Sequence, residues 1–179
     1  MAQYKAQRVG VFVDVQNMYY SAKNLYDAKV NFAKLLDEAT GQRQLVRAIA
    51  YVVKGPQSEE DNFFTALEKI GFEVKTRALQ VFLGGTKKGD WDVGLAIDTV
   101  RSAEGLDVII LVTGDGDFVP LIEYLRLGKG KQVEVAAFSR TASARIKEAA
   151  DTFVEIENVP KVLLKINKRR TKNRASTKN

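Results

Sequence analysis

The chain has 179 residues, 45% of them hydrophobic, which is enough apolar material for one globular core. It contains neither cysteine nor histidine, and this excludes disulfides, thiolate and imidazole metal sites, and the nucleophilic triads that need either residue. The formal charge of +6 is unevenly placed: all 22 acids lie at or before Glu157, whereas eight of the 28 basic residues fall in 161–179. Residues 1–160 are therefore close to neutral and are expected to form the domain, with 161–179 as a basic, disordered tail.

No apolar run approaches the roughly 20 residues of a spanning helix. The N-terminus also lacks the apolar centre of a signal peptide, so a cytoplasmic protein with no membrane partner is expected.

Residues 8–14 form a nearly continuous apolar run, as in a strand covered on both faces. Helical spacing follows over 15–40, interrupted near Asp27–Asn31 and stopped by Gly41. Residues 45–53 read as a second strand. Gly55-Pro56 breaks it, and a helix follows from about Ser58 to Ile70. Residues 72–76 alternate as a strand does, and Leu79–Leu83 reads as an edge strand or hairpin arm. A polar loop over 84–90 leads to a helix from about Trp91 to Ala103, with Val93, Ala96, Ile97 and Val100 as its apolar face. Strand 108–112 runs into Thr113-Gly114-Asp115-Gly116-Asp117-Phe118 and a helix closed by Gly128 and Gly130. A strand over 133–138, a helix near 142–150 and a short strand over 153–156 complete the domain. Strands alternating with helices predict βαβ units and a mostly parallel sheet, whose ligands gather beyond the carboxyl ends of the strands.

Asp14 and Asp115 stand at two such ends, Asp117 lies two residues further on, and Asp92 opens a helix. Carboxylates brought together repel one another unless a cation intervenes, and oxygen donors without nitrogen or sulfur suit Mg²⁺ or Mn²⁺. Each acid also has a structural use. Asp14 and Asp117 can cap helices, Asp115 can serve a turn, and Asp92 can answer a helix dipole. Of the last pair, Asp115 reads as the firmer metal ligand and Asp117 as shared with capping. Asn17 lies one helical turn after Asp14, within reach of the same pocket, and Thr113 offers a hydroxyl. Lys87 and Lys88 could clamp a phosphate. Tyr19, Tyr20, Tyr51 and Trp91 could stack on bases, with packing the better use for Tyr19 and Tyr20. Lys168, Arg169 and Arg170 in the tail could hold a phosphate backbone or serve solubility.

Three segments in order resemble the NYN domain of LabA-like proteins, in the PIN-like nuclease superfamily. They are Phe12-Val13-Asp14-Val15-Gln16-Asn17, the stretch from Lys88-Gly89-Asp90-Trp91-Asp92 to Asp98, and Thr113-Gly114-Asp115-Gly116-Asp117-Phe118. The resemblance implies a three-layer α/β/α, Rossmann-like fold and metal-dependent hydrolysis of RNA, single-stranded RNA being favoured. It implies an acidic cluster of Asp14, Asp92, Asp115 and Asp117, joined by Asn17, with Asp98 as a further acid of the middle motif. Thr113 stands where the family often has serine, and Asp151 reads as a structural cap. A catalytically silent metal- and RNA-binding module on the same fold is the alternative. The apolar Leu79–Leu83 strand could pair across a homodimer.

Overall fold

The computed structural model describes residues 4–54, 60–78, 80–81, 87–88 and 90–166. Strand β1 (Arg8–Asp14) passes directly into helix α1 (Val15–Tyr26) because Asp14 caps it, Oδ1 accepting from the Asn17 N–H at 3.0 Å. Asp27 turns left-handed (φ 46°) to end α1, short strand β2 (Ala28–Val30) follows, and Asn31 caps α2 (Phe32–Thr40). Next come β3 (Gln44–Lys54), α3 (Glu60–Ile70) and β4 (Glu73–Ala78). A small hairpin, β5 (Gln80–Val81) with β6 (Lys87–Lys88), precedes α4 (Asp92–Ser102). Strand β7 (Val108–Val112) leads through a 3₁₀ turn into α5 (Val119–Glu123), which continues as a π turn over Tyr124–Gly128. Strand β8 (Gln132–Ala137), α6 (Ala144–Ala149), β9 (Thr152–Glu155) and β10 (Leu163–Lys165) complete the described chain.

Six strands form one sheet in the order β4-β3-β1-β7-β8-β9, with every pairing parallel. The chain builds outward from β1 through β3 and β4, then crosses back and builds outward again through β7, β8 and β9. Right-handed crossovers then put α1–α3 on one face and α4–α6 on the other. Val9, Val11 and Val13 of β1 pack against Met18, Leu35 and Leu67, while Phe12 faces Leu95, Ile122 and Ile146 across the sheet. Burial on both faces explains why β7 is apolar at all five positions, each at most 2% exposed. A fully buried Val or Ile contributes roughly 1.5–3 kcal/mol, so this strand is a main anchor of the fold.

The expected three-layer α/β/α architecture is present. The interruption near Asp27–Asn31 is β2, which pairs antiparallel with β10 far along the chain. In α4 the residues turned inward are Leu95 and Thr99; Val93 and Ile97 are largely exposed, so that half of the expected apolar face is wrong. Within the Leu79–Leu83 stretch, Gln80 and Val81 pair with β6 of the same chain, and the other three residues lie outside the described ones. Arg43 and Glu134 form a bidentate pair beneath α2 at 2.8 and 3.0 Å, their side chains only 1% and 6% exposed. Asp151 accepts from the Val133 N–H and from Arg126, which gives it a structural role, although it ties β8 to Arg126 rather than capping a described helix. Among the described residues no helix is long and apolar enough to cross a membrane.

Candidate active site

The order of strands reverses between β1 and β7, and at such a switch point the two following connections diverge and leave a crevice at the carboxyl edge. Asp14 ends β1 on one side, and Thr113–Asp115 leave β7 on the other. A cleft opens there, lined by Asp14, Gln16, Asn17 and Tyr20 from β1 and α1, by Tyr51 of β3, by Asp90, Trp91 and Asp92 before and within α4, and by Asp115.

Asp14 is the most constrained of the acids. Besides capping α1, it receives the Thr113 hydroxyl on Oδ2 at 3.4 Å. Burial pushes its carboxyl up to about 6, the Asn17 backbone bond opposes this, and the charges of Asp92 and Asp115 add to it. Asp92 is also pushed up, by burial first and then by the charges of Asp90, Asp115 and Asp117. Asp14 thus feels Asp92 and Asp115, and Asp92 feels Asp90, Asp115 and Asp117. Asp90 went unremarked in the sequence because it closes a lysine–glycine loop. Its place beside Trp91-Asp92 in the Lys88–Asp98 stretch is the signal that could have found it.

The capping role divides differently from expectation. Asp115 caps the 3₁₀ turn, Oδ1 accepting from the Asp117 N–H at 3.0 Å, while its own N–H donates to the Thr113 hydroxyl at 3.3 Å. Asp117 is exposed at the rim, and among the described residues its carboxylate accepts no hydrogen bond. Asn17 reaches across the crevice, its Oδ1 accepting from the Gly114 N–H at 3.0 Å, so α1 and the end of β7 are tied together. A side chain on Gly114 would be crowded, because its Cβ would lie 3.0 Å from the Ala142 Cα and the backbone there would have to give.

Asp98 stands one step outside the cleft. It accepts from the Tyr51 hydroxyl at 3.1 Å and from Lys75 Nζ at 2.6 Å. Burial opposes its ionisation, yet these bonds hold its carboxyl below the usual range. Asp98 therefore anchors a cleft wall, since Tyr51 does line the cleft, and burial and the Asp98 charge hold the phenol protonated. Trp91 is equally fixed. Its indole N–H donates to the Val52 carbonyl at 2.9 Å, its ring lies 5.5 Å from Tyr51, and the Arg77 guanidinium covers it at 5.1 Å. Arg77 also donates to the Asp90 carbonyl, and Gly94 leaves the ring room where a Cβ would approach to 2.6 Å. Tyr19 and Tyr20 do not pack as expected; they are 43% and 54% exposed, and Tyr20 lines the cleft. Lys87 and Lys88 form β6, two residues before Asp90, and Lys168, Arg169 and Arg170 lie outside the described residues.

Among the described residues no three carboxylates converge closely enough to form a metal-ion site as they stand. The donor chemistry still fits a hard divalent cation, because every candidate ligand is an oxygen. The carboxyls of Asp14 and Asp92 are raised first by burial and then by their neighbouring acids, and a bound cation would favour the ionised form of both.

A parallel doubly wound sheet with aspartates gathered at its switch point defines an α/β protein whose candidate site lies where this architecture binds its ligands. The family model of the NYN domain matches residues 8–157, and the chain belongs to that family. It is 24% identical over 167 residues to the low amplitude and bright protein LabA of Synechococcus elongatus, covering 87% of each chain. The crystal structure of a protein of unknown function from Vibrio parahaemolyticus is 33% identical and superposes with a TM-score of 0.82, over 92% of this chain and all of that one.

Proposed function

We propose that this chain is a divalent-cation-dependent ribonuclease that hydrolyses phosphodiester bonds of single-stranded RNA in the crevice between β1 and β7. The observation that carries the reading is the meeting of Asp14, Asp90, Asp92 and Asp115 in one cleft at the point where the strand order reverses. Membership of the NYN family supports nuclease-like chemistry on RNA.

Asp14, Asp92 and Asp115 would hold Mg²⁺ or Mn²⁺. Bound there, the cation supplies Lewis-acid polarisation of a phosphate oxygen and a more acidic water. The remaining work belongs to the chain. Asn17 and Thr113 set the spacing of the two strand ends, so that Asp14 and Asp115 face the same phosphate. Asp117, free of a capping duty, orients the attacking water at the rim. The Asp98–Tyr51 bond and the pinned Trp91 form a rigid wall that shapes the cleft beside Asp92. Lys87, Lys88 and the tail residues Lys168, Arg169 and Arg170 would grip the phosphate backbone by charge, a contribution that weakens as salt rises.

A module that binds RNA without cleaving it is favoured by one observation, the failure of any three described carboxylates to converge. Incubation of labelled single-stranded RNA with purified protein separates the two. Cleavage with Mn²⁺ that is abolished by EDTA and by Asp115→Asn supports the ribonuclease. Equal degradation by wild type and Asp115→Asn identifies a contaminant and removes the assignment. Tight binding without cleavage establishes the silent module.

A further inference from the structure

Helix α1 leaves the cleft carrying two aromatic side chains that the core does not use. Tyr20 lines the cleft and is 54% exposed, and its neighbour Tyr19 is 43% exposed. Large rings left in water side by side contribute little to burial, and among the described residues neither hydroxyl makes a hydrogen bond. The rings nevertheless meet edge to face, centroids 5.4 Å apart at 77°, and the Lys23 ammonium stands 5.5 Å over the Tyr19 ring. Helical spacing aligns Gln16, Tyr20 and Lys23 along one stripe that starts at the acids. From Gln16 to Lys23 the helix rises about 10 Å, roughly three steps of stacked bases at about 3.4 Å each.

The other two cleft aromatics differ in kind. Tyr51 is 1% exposed and bonded to Asp98, and Trp91 is held by Val52, Arg77 and Tyr51. Their rings are committed to the wall. Tyr20 alone among the cleft aromatics is left without such a partner, and the cation over its neighbour Tyr19 stands one helical turn further on.

We propose that Tyr20, buttressed by Tyr19 and Lys23, is a stacking platform for an unpaired base of the nucleic-acid strand whose phosphate lies among the acids. This rests on the reading of the cleft as a nuclease site. Every base has a π-face, so the platform tolerates sequence, with Lys23 attracting the next phosphate. Bases inside a duplex already stack on their neighbours and cannot offer that face. α1 therefore selects single-stranded over double-stranded substrate.

The test measures fluorescence anisotropy of a labelled single-stranded RNA, and of the same strand in a blunt duplex, on full-length protein carrying Asp115→Asn. Adding Tyr20→Ala is expected to weaken single-strand binding about tenfold, within the range seen for loss of one stacked base, with duplex binding unchanged. Tyr20→Trp is expected to keep or tighten single-strand binding. Unchanged single-strand affinity in Tyr20→Ala, or equal losses for strand and duplex, overturns the platform. Photocrosslinking with 5-iodouridine RNA supplies a second readout that does not depend on the variants. A crosslink at Tyr20 supports the platform, and one confined to Trp91 overturns it. Cleavage with Asp115 intact reads the parent assignment separately. A Tyr20→Ala chain that cleaves with unchanged KM removes the platform alone, whereas a native chain that neither binds nor cleaves RNA removes both.

Discussion

Replacing Asp14 with Asn should make the cation-free protein more stable at neutral pH, although most substitutions at such a position destabilise. Burial, opposed by the Asn17 N–H and reinforced by Asp92 and Asp115, moves the Asp14 carboxyl from 3.8 to about 6. Because the folded value lies above the unfolded one, the contribution is fully present below about pH 4 and is lost as pH rises through about 6. At about 1.4 kcal/mol for each factor of ten in proton affinity, ionised Asp14 costs the fold about 3 kcal/mol. Asn keeps the shape and can still cap α1 through its own Oδ1. It disturbs the long Thr113 contact, a loss of about 1 kcal/mol, which leaves a net gain of about 2 kcal/mol. For a chain of this size that is a Tm rise of roughly 4–8 °C. Thermal melts in EDTA at about pH 7.5 and about pH 4 check it, and the gain should vanish at the lower pH. Mn²⁺ should then raise the Tm of wild type and leave the variant nearly unmoved, since only a state that binds the ion is stabilised by it. A variant less stable than wild type by the same amount at both pH values would refute the electrostatic reasoning.

Asp98→Asn should cost roughly 1–3 kcal/mol in urea denaturation through the lost Lys75 bond, while the Mn²⁺ concentration for half-maximal cleavage stays unchanged. Asp92→Asn should raise that concentration. Gly94→Ala forces a Cβ to within 2.6 Å of the Trp91 ring, so the emission of this single tryptophan should shift to the red and kcat should fall. An unshifted spectrum would show that the ring is not pinned. Arg43→Met leaves Glu134 buried without its partner and should cost about 3–5 kcal/mol; adding Glu134→Leu should recover most of it.

Much of this fold is legible in the sequence because its strands are covered on both faces, which leaves near-continuous apolar runs such as Val108–Val112. Acids at the ends of such runs stand out, and that is how Asp14 and Asp115 can be picked without coordinates. What depends on register across strands cannot be picked in this way. Asp98 falls to Tyr51 and Lys75 only once β3 and β4 lie side by side, and β2 finds its partner only in the distant β10. Tyr19 and Tyr20 are large rings early in a helix and so read as packing residues, yet α1 presents them to solvent as it leaves the sheet. Val93 and Ile97 mislead in the same manner, because the stripe of α4 that meets the sheet runs through Leu95 and Thr99. That Asp115 and not Asp117 takes the cap turns on one residue: the 3₁₀ turn starts at Gly116, so the acid before it is the cap.

The proposed cation site for phosphodiester hydrolysis among the crevice acids is open to direct observation. Anomalous diffraction from crystals grown with Mn²⁺ and a non-cleavable RNA analogue tests it most directly. A manganese peak bounded by Asp14, Asp92 and Asp115 is expected, with the scissile phosphate against it. Manganese absent from that crevice at saturating metal, in crystals of a protein that still cleaves RNA, would contradict it.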